Sequence, residues 1–471
     1  MKAHKTLTAL ILTALVSVCC TAEFDKINRK GYQVDSEELQ REGYIIGSTL
    51  KGLQGLVVPT AEHLYQFVEA LAAGPYAGYF GATVAWTDKF ETYNPPVDWQ
   101  NKTFSDVFTR TYPYYRDILS STDDPVAQAL AKLLRVCIMH RMTDMYGPIP
   151  YSKVISGNSS ESLAVAYDSQ EEVYRQMLRE LDEVLAVLSD NLGLSADAFR
   201  KFDDVYFGDL TKWYRFTNSL KLRMAVRMSY ADPETAKKVA EEAVAAGVIT
   251  TNADNAFLTV AENRSAMVFN DWSDHRVGAD IISYMNGYAD PRREKMFTKG
   301  VWNNKEDFYG IRIGIDVANK DLFVTTYSSP VLNESSPFLW MNAAEVAFLR
   351  AEGALRGWNM GAEAKELYNS AIALSLSSTA SPTRPLTTSP TPTSSRRHTP
   401  TRARPSTTPA DRAARLPSPG KMRAVSKETS NASSPRNGLP SSRFALRLGA
   451  NSAVQATLNS FRWSKTRAEE P

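Results

Sequence analysis

From about residue 36 to residue 375 an apolar side chain returns every three or four positions. That period commits the chain to amphipathic helices that must pair. In DDPVAQALAKLLRVCIMHRMTDMYG, Val126, Leu130, Leu133, Leu134, Cys137, Ile138 and Met142 share one face, and Asp124 before Pro125 reads as a cap followed by proline at the first helical position. In SQEEVYRQMLRELDEVLAVLS, Ser169 and Glu172 have capping-box spacing ahead of the stripe Val173, Met177, Leu181, Val184 and Leu188. Further helices start at Asp209 and at Asp232–Pro233, the second stopping at Gly247. AAEVAFLRAEGALRG and GAEAKELYNSAIALS form a pair joined by a short turn. Their small residues Ala351, Ala354 and Ala364 stand where two helices must approach closely. This has a tetratricopeptide character. The expected fold is mainly α, an α-solenoid-like core of helix pairs with little β. Segments 76–99, 262–304 and FYGIRIGID at 308–316 read as extended or looped.

The pattern stops abruptly after LYNSAIAL. From Leu376 onward stand 16 Lys/Arg against 4 Asp/Glu, in a Ser, Thr, Pro and Arg background; the chain before it holds 38 against 48, a net of −10. The overall charge of +2 therefore sums two unlike parts. An acidic body argues against nucleic acid as a partner. The tail has too few apolar residues to offset chain entropy and is expected to be disordered.

The N-terminus reads as a targeting segment. MKAHK is a basic start, and LTALILTALVSV is an apolar run too short to span a bilayer and suited to a signal. Cys19 and Cys20 follow directly, and Cys137 is the only other cysteine, so no disulfide framework is expected. Paired cysteines at this place suggest a lipoprotein signal cleaved before an acylated cysteine. Cys20 suits that role because Cys19 supplies the small residue before it; Cys19 is the alternative, with Val18 a poorer fit. An ordinary secretory signal is the other reading.

No nucleophile elbow, phosphate loop, dinucleotide fingerprint or His-Glu-x-x-His occurs. The five histidines are scattered, and no metal or cofactor is expected; His140 reads as structural. Glu171/Glu172 and Glu241/Glu242 read as solvated helix faces. Asp271, Asp274 and Asp290 lie in a loop region without the spacing of a calcium loop. Aromatic residues among polar ones do recur, in PYAGYFGATVAWTDKFETYNPPVDW and FNDWSDHRVGADIISYMNGYADPRR. Such rings can stack on sugar faces while Asn, Asp and Arg bond hydroxyls, or they can fill gaps between helices. Trp86, Tyr93, Trp99, Trp272, Tyr284 and Tyr288 are the candidate ligand contacts.

The sequence resembles the SusD/RagB-type nutrient-binding outer-membrane lipoproteins of Bacteroidota. HRMTDMYGPIPYSKV is similar to the family's helix-end motif, through Asp144, Tyr146, Gly147, Pro150 and Tyr151. YDSQEEVYRQMLRELDEV follows it in family order. In GDLTKWYRFTNSLKLRMAVRMS, Trp213, Asn218, Ser219, Leu220, Arg223 and Arg227 match, as does MNAAEVAFLRAEGALRGW. The resemblance covers about 20 to 375. It implies tetratricopeptide-like pairs with an irregular loop-rich face. It also implies capture of an oligosaccharide or similar nutrient at the cell surface, beside a TonB-dependent (SusC-like) outer-membrane transporter, without enzyme activity. Ligand contacts vary in the family, and Tyr146 and Trp213 are read as packing. A secreted glycoside hydrolase with unrecognised carboxylates and a helical-repeat protein-binding scaffold are the alternatives.

Family motifs expected after residue 375 are absent in the written frame. Joining the third base of each codon to the first two of the next lets Thr429–Phe444 encode Val-Glu-Arg-Ile-Ile-Thr-Gln-Lys-Trp-Leu-Ala-Ile-Phe-Pro-Leu. The same shift gives Phe-Glu-Gln-His-Gly at Ser375–Ala380 and Phe-Pro-Val-Val-Glu-Asn-Lys near the end. These resemble the missing motifs. The expected organisation is a signal peptide at 1–19, an incomplete binding domain at 20–374 and a frameshifted low-complexity tail at 375–471. A Pro/Thr-rich linker or stalk is the alternative for the tail.

Overall fold

The computed structural model describes residues 43–154, 165–193 and 200–379. The signal segment 1–19, Cys19 and Cys20 lie outside the described residues, as does the tail beyond Thr379. The longer helices are α1 (Tyr44–Val57), α2 (Val97–Ser121), α3 (Pro125–Tyr146), α4 (Gln170–Asp190), α5 (Leu210–Met228), α6 (Pro233–Ala246), α7 (Ala279–Gly287), α8 (Ala343–Leu355) and α9 (Ala364–Thr379). They pack as the pairs α1/α2, α3/α4, α5/α6 and α8/α9, with α5 also touching α4 and α8. The expected mainly helical, tetratricopeptide-like architecture is what the chain adopts.

The caps act where the sequence places them. Asp124 accepts from the Val126 N–H at 2.8 Å, and Asp209 from Lys212 N–H at 3.0 Å. Ser169 and Glu172 form a reciprocal capping box. Helix α3 ends at Gly147, whose φ of 78° lies where only glycine sits without strain. Helix α9 continues through Thr379, past the composition break at 374. Ser375 is buried there and accepts from Arg292 Nη1 at 2.6 Å.

Polar residues, several of them from the sequence motifs, meet at the seams within and between pairs. Arg223 of α5 donates Nε and Nη2 to the Glu345 carboxylate of α8 at 2.7 and 2.9 Å, and Nη2 also reaches the Trp340 carbonyl at 3.0 Å. One turn on, Arg227 pairs with Asp144 of α3, which also accepts from the Tyr174 hydroxyl of α4 at 2.5 Å. Arg135 and the Tyr151 hydroxyl share Glu180, each at 2.5 Å. Trp213 is 1 % exposed and donates its indole N–H to Asp203 at 2.8 Å, so it packs as expected. Tyr146 likewise packs, its hydroxyl donating to the Gln100 carbonyl at 3.0 Å. His140 is buried beside Asp144, matching its structural reading.

Among the described residues three two-stranded antiparallel ladders form: β1 (Phe80–Ala82) with β3 (His275–Val277), β2 (Ala256–Leu258) with β6 (Phe338–Met341), which packs into the helical core, and β4 (Gly300–Trp302) with β5 (Lys305–Asp307). The extended or looped reading of 262–304 holds for β3 and β4 and is corrected for the helical stretches, Ser265–Phe269, α7 and Arg293–Met296. That segment holds β3 and α7, whose core face Ile281, Ile282 and Met285 is too short between Gly278 and Gly287 to stand out as periodic. The end of segment 76–99 belongs to α2, a 25-residue helix with Pro113 inside and an aromatic, polar composition that masks its period.

Glu345→Ala strands the Arg223 charge inside the core and is expected to destabilise the fold by about 3–5 kcal/mol in urea unfolding. Adding Arg223→Met, which removes the stranded charge, is expected to recover much of that loss.

Candidate functional site

Pairing β1 with β3 sets Phe80 opposite Val277 and Ala82 opposite His275, and so joins two aromatic segments far apart in sequence. The ladder is extended by side chains and backbone: Thr83 N–H donates to the Asp274 carbonyl at 2.9 Å and the Thr83 hydroxyl to the Ser273 carbonyl at 2.5 Å. Gln66 Nε2 and Lys320 Nζ hold the two oxygens of Asp274 at 3.0 and 2.7 Å. Beneath both segments runs a π-helix, Gln66–Ala73, a rare form whose i→i+5 bonding widens the turn. Leu71, Ala72 and Phe67 pack against one ring cluster, and Ala70 against the other.

The first cluster joins Trp86, Phe90 and Trp99, with Tyr76 and Phe67 against them. Trp86 and Trp99 meet edge-on at 5.2 Å, and Phe90 stacks on Trp99 at 6.4 Å. Tyr93 stacks on Tyr76 with centroids 5.5 Å apart and planes at 16°. Tyr93 is 58 % exposed and holds φ at 62°, a left-handed conformation that costs free energy for a side chain of this size. Around it Asn94 donates to Asp88 at 2.8 Å, and Thr92 bonds Asn94. The second cluster holds half-buried Trp272, which stacks on His63 at 5.0 Å and packs with Phe269.

Four of the six sequence candidates therefore gather along the β1/β3 edge: Trp86, Tyr93, Trp99 and Trp272. Tyr284 and Tyr288 belong to neither cluster. Tyr284 lies on α7 and Tyr288 directly follows its last residue, beside Tyr368 of α9, where burial first and Tyr288 second raise the Tyr368 hydroxyl. Sequence reasoning missed the supporting rings. Tyr76 lay within the aromatic segment without being singled out. His63 carried no signal, because its stack with Trp272 is a long-range consequence of the fold.

His275 joins the clusters, 5.9 Å from Trp86 and 6.3 Å from Phe269. It is fully buried, and neither ring nitrogen has a hydrogen-bond partner among the described residues. Burial, then Arg276 and Lys320, push its pKa down to about 3. Burial likewise lifts the Tyr76 hydroxyl to about 12, with Tyr93 the second cause. Asp274 is held by Gln66 and Lys320, and Asp290 is bound by Arg292. Among the described residues no group of three or more His, Cys, Asp or Glu side chains is placed to hold a metal. The arrangement offers ring faces bordered by amides, hydroxyls and carboxylates, a surface suited to binding.

His140 and His275 both fall from 6.5 to about 3 on folding, burial being the first cause for each. Between those values the unfolded chain takes up protons that the folded chain excludes. Stability is therefore expected to be flat above pH 6.5 and to fall as pH drops below it, by up to about 1.4 kcal/mol per pH unit for each histidine. Urea midpoints from pH 7 to pH 5 measure this, and His275→Phe should flatten the curve.

No curated protein matches the sequence. A family profile described as SusD-like, SusD and RagB outer membrane lipoprotein, matches residues 26–383. The crystal structure of a SusD homologue from Bacteroides thetaiotaomicron is similar at a TM-score of 0.68 and 55 % identity, over 71 % of this chain and 69 % of that one. One from Bacteroides ovatus scores 0.67 at 39 % identity, over 71 % and 70 %. A chitin-binding SusD homologue from Flavobacterium johnsoniae scores 0.66 at 35 % identity, over 71 % and 70 %. With helix pairs, buried motif residues and family profile in agreement over most of its length, the chain belongs to the SusD/RagB family of outer membrane lipoproteins.

Proposed function

We propose that this protein captures a glycan at the cell surface, without cleaving it, and delivers it to a TonB-dependent outer-membrane transporter. The observation that carries the reading is the exposed Tyr93 ring, held at a strained backbone and stacked on Tyr76, at the edge of a rigid Trp86/Trp99 cluster. A strained, exposed aromatic side chain backed by packed rings is a common form for a binding contact. Trp86, Tyr93, Trp99 and Trp272 form the main contact surface in this reading, and Tyr284 and Tyr288, at and just after the end of α7, a separate flank. The chitin-binding relative supports a glycan as the ligand class. Acylation at Cys20, or at Cys19, would tether the domain to the outer membrane, as the family description supports.

The same reading takes residues 1–19 as the signal peptide, 20–374 as the binding domain, and the tail from 375 as the product of a shifted frame. The family profile ends at 383, near the point where the composition changes.

Glycan-array binding followed by calorimetry on the best ligand tests the function. Tyr93→Ala is expected to weaken binding about tenfold, roughly 1.4 kcal/mol, with the fold intact. Product release from the glycan would overturn the non-catalytic reading. For the tail, DNA sequence across codons 370–380 should reveal a one- or two-base discrepancy. The chain translated in the restored frame should be more soluble and melt higher than the 471-residue form, because a solenoid lacking its last units leaves core exposed.

A further inference from the structure

We infer that the buried Lys89–Glu91 pair positions the recognition loop, setting Tyr93 and Trp86 before any ligand arrives. This rests on the binding role proposed above. Both side chains are only 4 % exposed, and the ammonium and carboxylate stand 3.4 Å apart. Each end is tied to a different part of the fold. Glu91 Oε1 accepts from the Ala82 N–H of β1 at 2.5 Å, and Oε2 accepts from the Gly314 N–H at 3.1 Å. Lys89 Nζ donates to the Ile315 carbonyl at 2.9 Å. Gly314 adopts φ 78°, and a Cβ there would sit 3.1 Å from the Glu91 carbonyl oxygen, so the 310–315 segment lies directly on the loop.

The pair thus pins the 3-10 turn Phe90–Thr92 between β1 and that segment. The turn's next residue is Tyr93, whose N–H donates to the Phe90 carbonyl at 3.0 Å while its ring stacks on Tyr76. Trp86 precedes the pair by three residues, and Phe90 between its members packs on Trp99. Holding three ring-bearing positions, Trp86, Phe90 and Tyr93, in a loop whose Tyr93 is left-handed needs an interaction that water cannot compete with. A buried, charge-assisted clamp meets that need. Pre-setting the rings spares the ordering cost of binding, so the effect should fall on ligand affinity.

Glu91→Gln keeps the shape but replaces one carboxylate oxygen with an amide that cannot accept from a backbone N–H, and it leaves Lys89 unpaired. On the full chain, with the glycan selected by the array, Glu91→Gln is expected to weaken binding about tenfold. The Glu91→Gln/Tyr93→Ala double variant should lose clearly less than the sum of the two single losses, because both changes act in part through the Tyr93 ring. Lys89→Met, which keeps both bonds to Glu91, should shift affinity in the same direction by less, and serves if Glu91→Gln does not fold. Unchanged affinity, or fully additive losses, would overturn the positioning role while leaving glycan binding intact. If the wild-type chain binds no glycan at all, the binding reading fails and the pin is judged by fluorine NMR of 3-fluorotyrosine-labelled protein. A Tyr93 resonance that broadens or moves in Glu91→Gln supports the pin, and one that stays put refutes it.

Discussion

Helix α5 is tied to two other helices through the guanidinium groups of Arg223 and Arg227, the first buried and the second largely so. Arg223 and Arg227 are one turn apart, so they leave the helix on the same side. Arg223 reaches Glu345 on α8, and Arg227 reaches Asp144 on α3. A buried charge without its partner is worse than no charge at all. Apolar stripes alone would tolerate several ways of stacking these helices. The carboxylates narrow the choice, because sliding α5 against either neighbour would separate the pair made with that neighbour. The remaining seams repeat the device on a smaller scale, with Glu180 joining Arg135 and Tyr151.

The same body carries the ring-bearing face. Arg141 of α3 donates to the Val57 carbonyl at 2.6 Å and pairs with Glu69, which lies within the π-helix. Through that contact the helix pairs grip the floor of the ring-bearing face. The floor in turn contacts both ring clusters, and its Gln66 reaches Asp274 beside the β1/β3 ladder. Rigid helices, π-helical floor and ring edge form one connected path, which is how a site built on loops keeps a fixed shape.

Much of the helical body was legible because local rules and burial agreed there. Caps at Asp124, Ser169 and Asp209, the glycine stop at Gly147 and the apolar stripes of α3 and α4 all point to what forms. Helix α2 escaped notice because its buried face uses Thr103, Thr111, Tyr112 and Tyr115 as well as aliphatic residues. Helix α7 was hidden by flanking glycines. The rings of the candidate surface were legible as residue types, but their grouping was not. It depends on a strand pair between distant segments, and no local period encodes such a pair. For the same reason Tyr284 and Tyr288 looked like neighbours of Trp272 and are not. Lys89 and Glu91 stand in a polar stretch that reads as solvated, and only the folded chain buries them.

The widened turn at Gln66–Ala73 has an implication for how such proteins diverge. A π-helix differs from an ordinary helix by a single inserted residue. Removing one position from an ordinary helix would rotate all that follows by about 100° around the axis, whereas removing one here would close the wide turn to the i→i+4 form and keep the flanking faces where they are. The stretch beneath the two ring groups can therefore absorb a change of one codon in length while the arginine-locked body stays as it is.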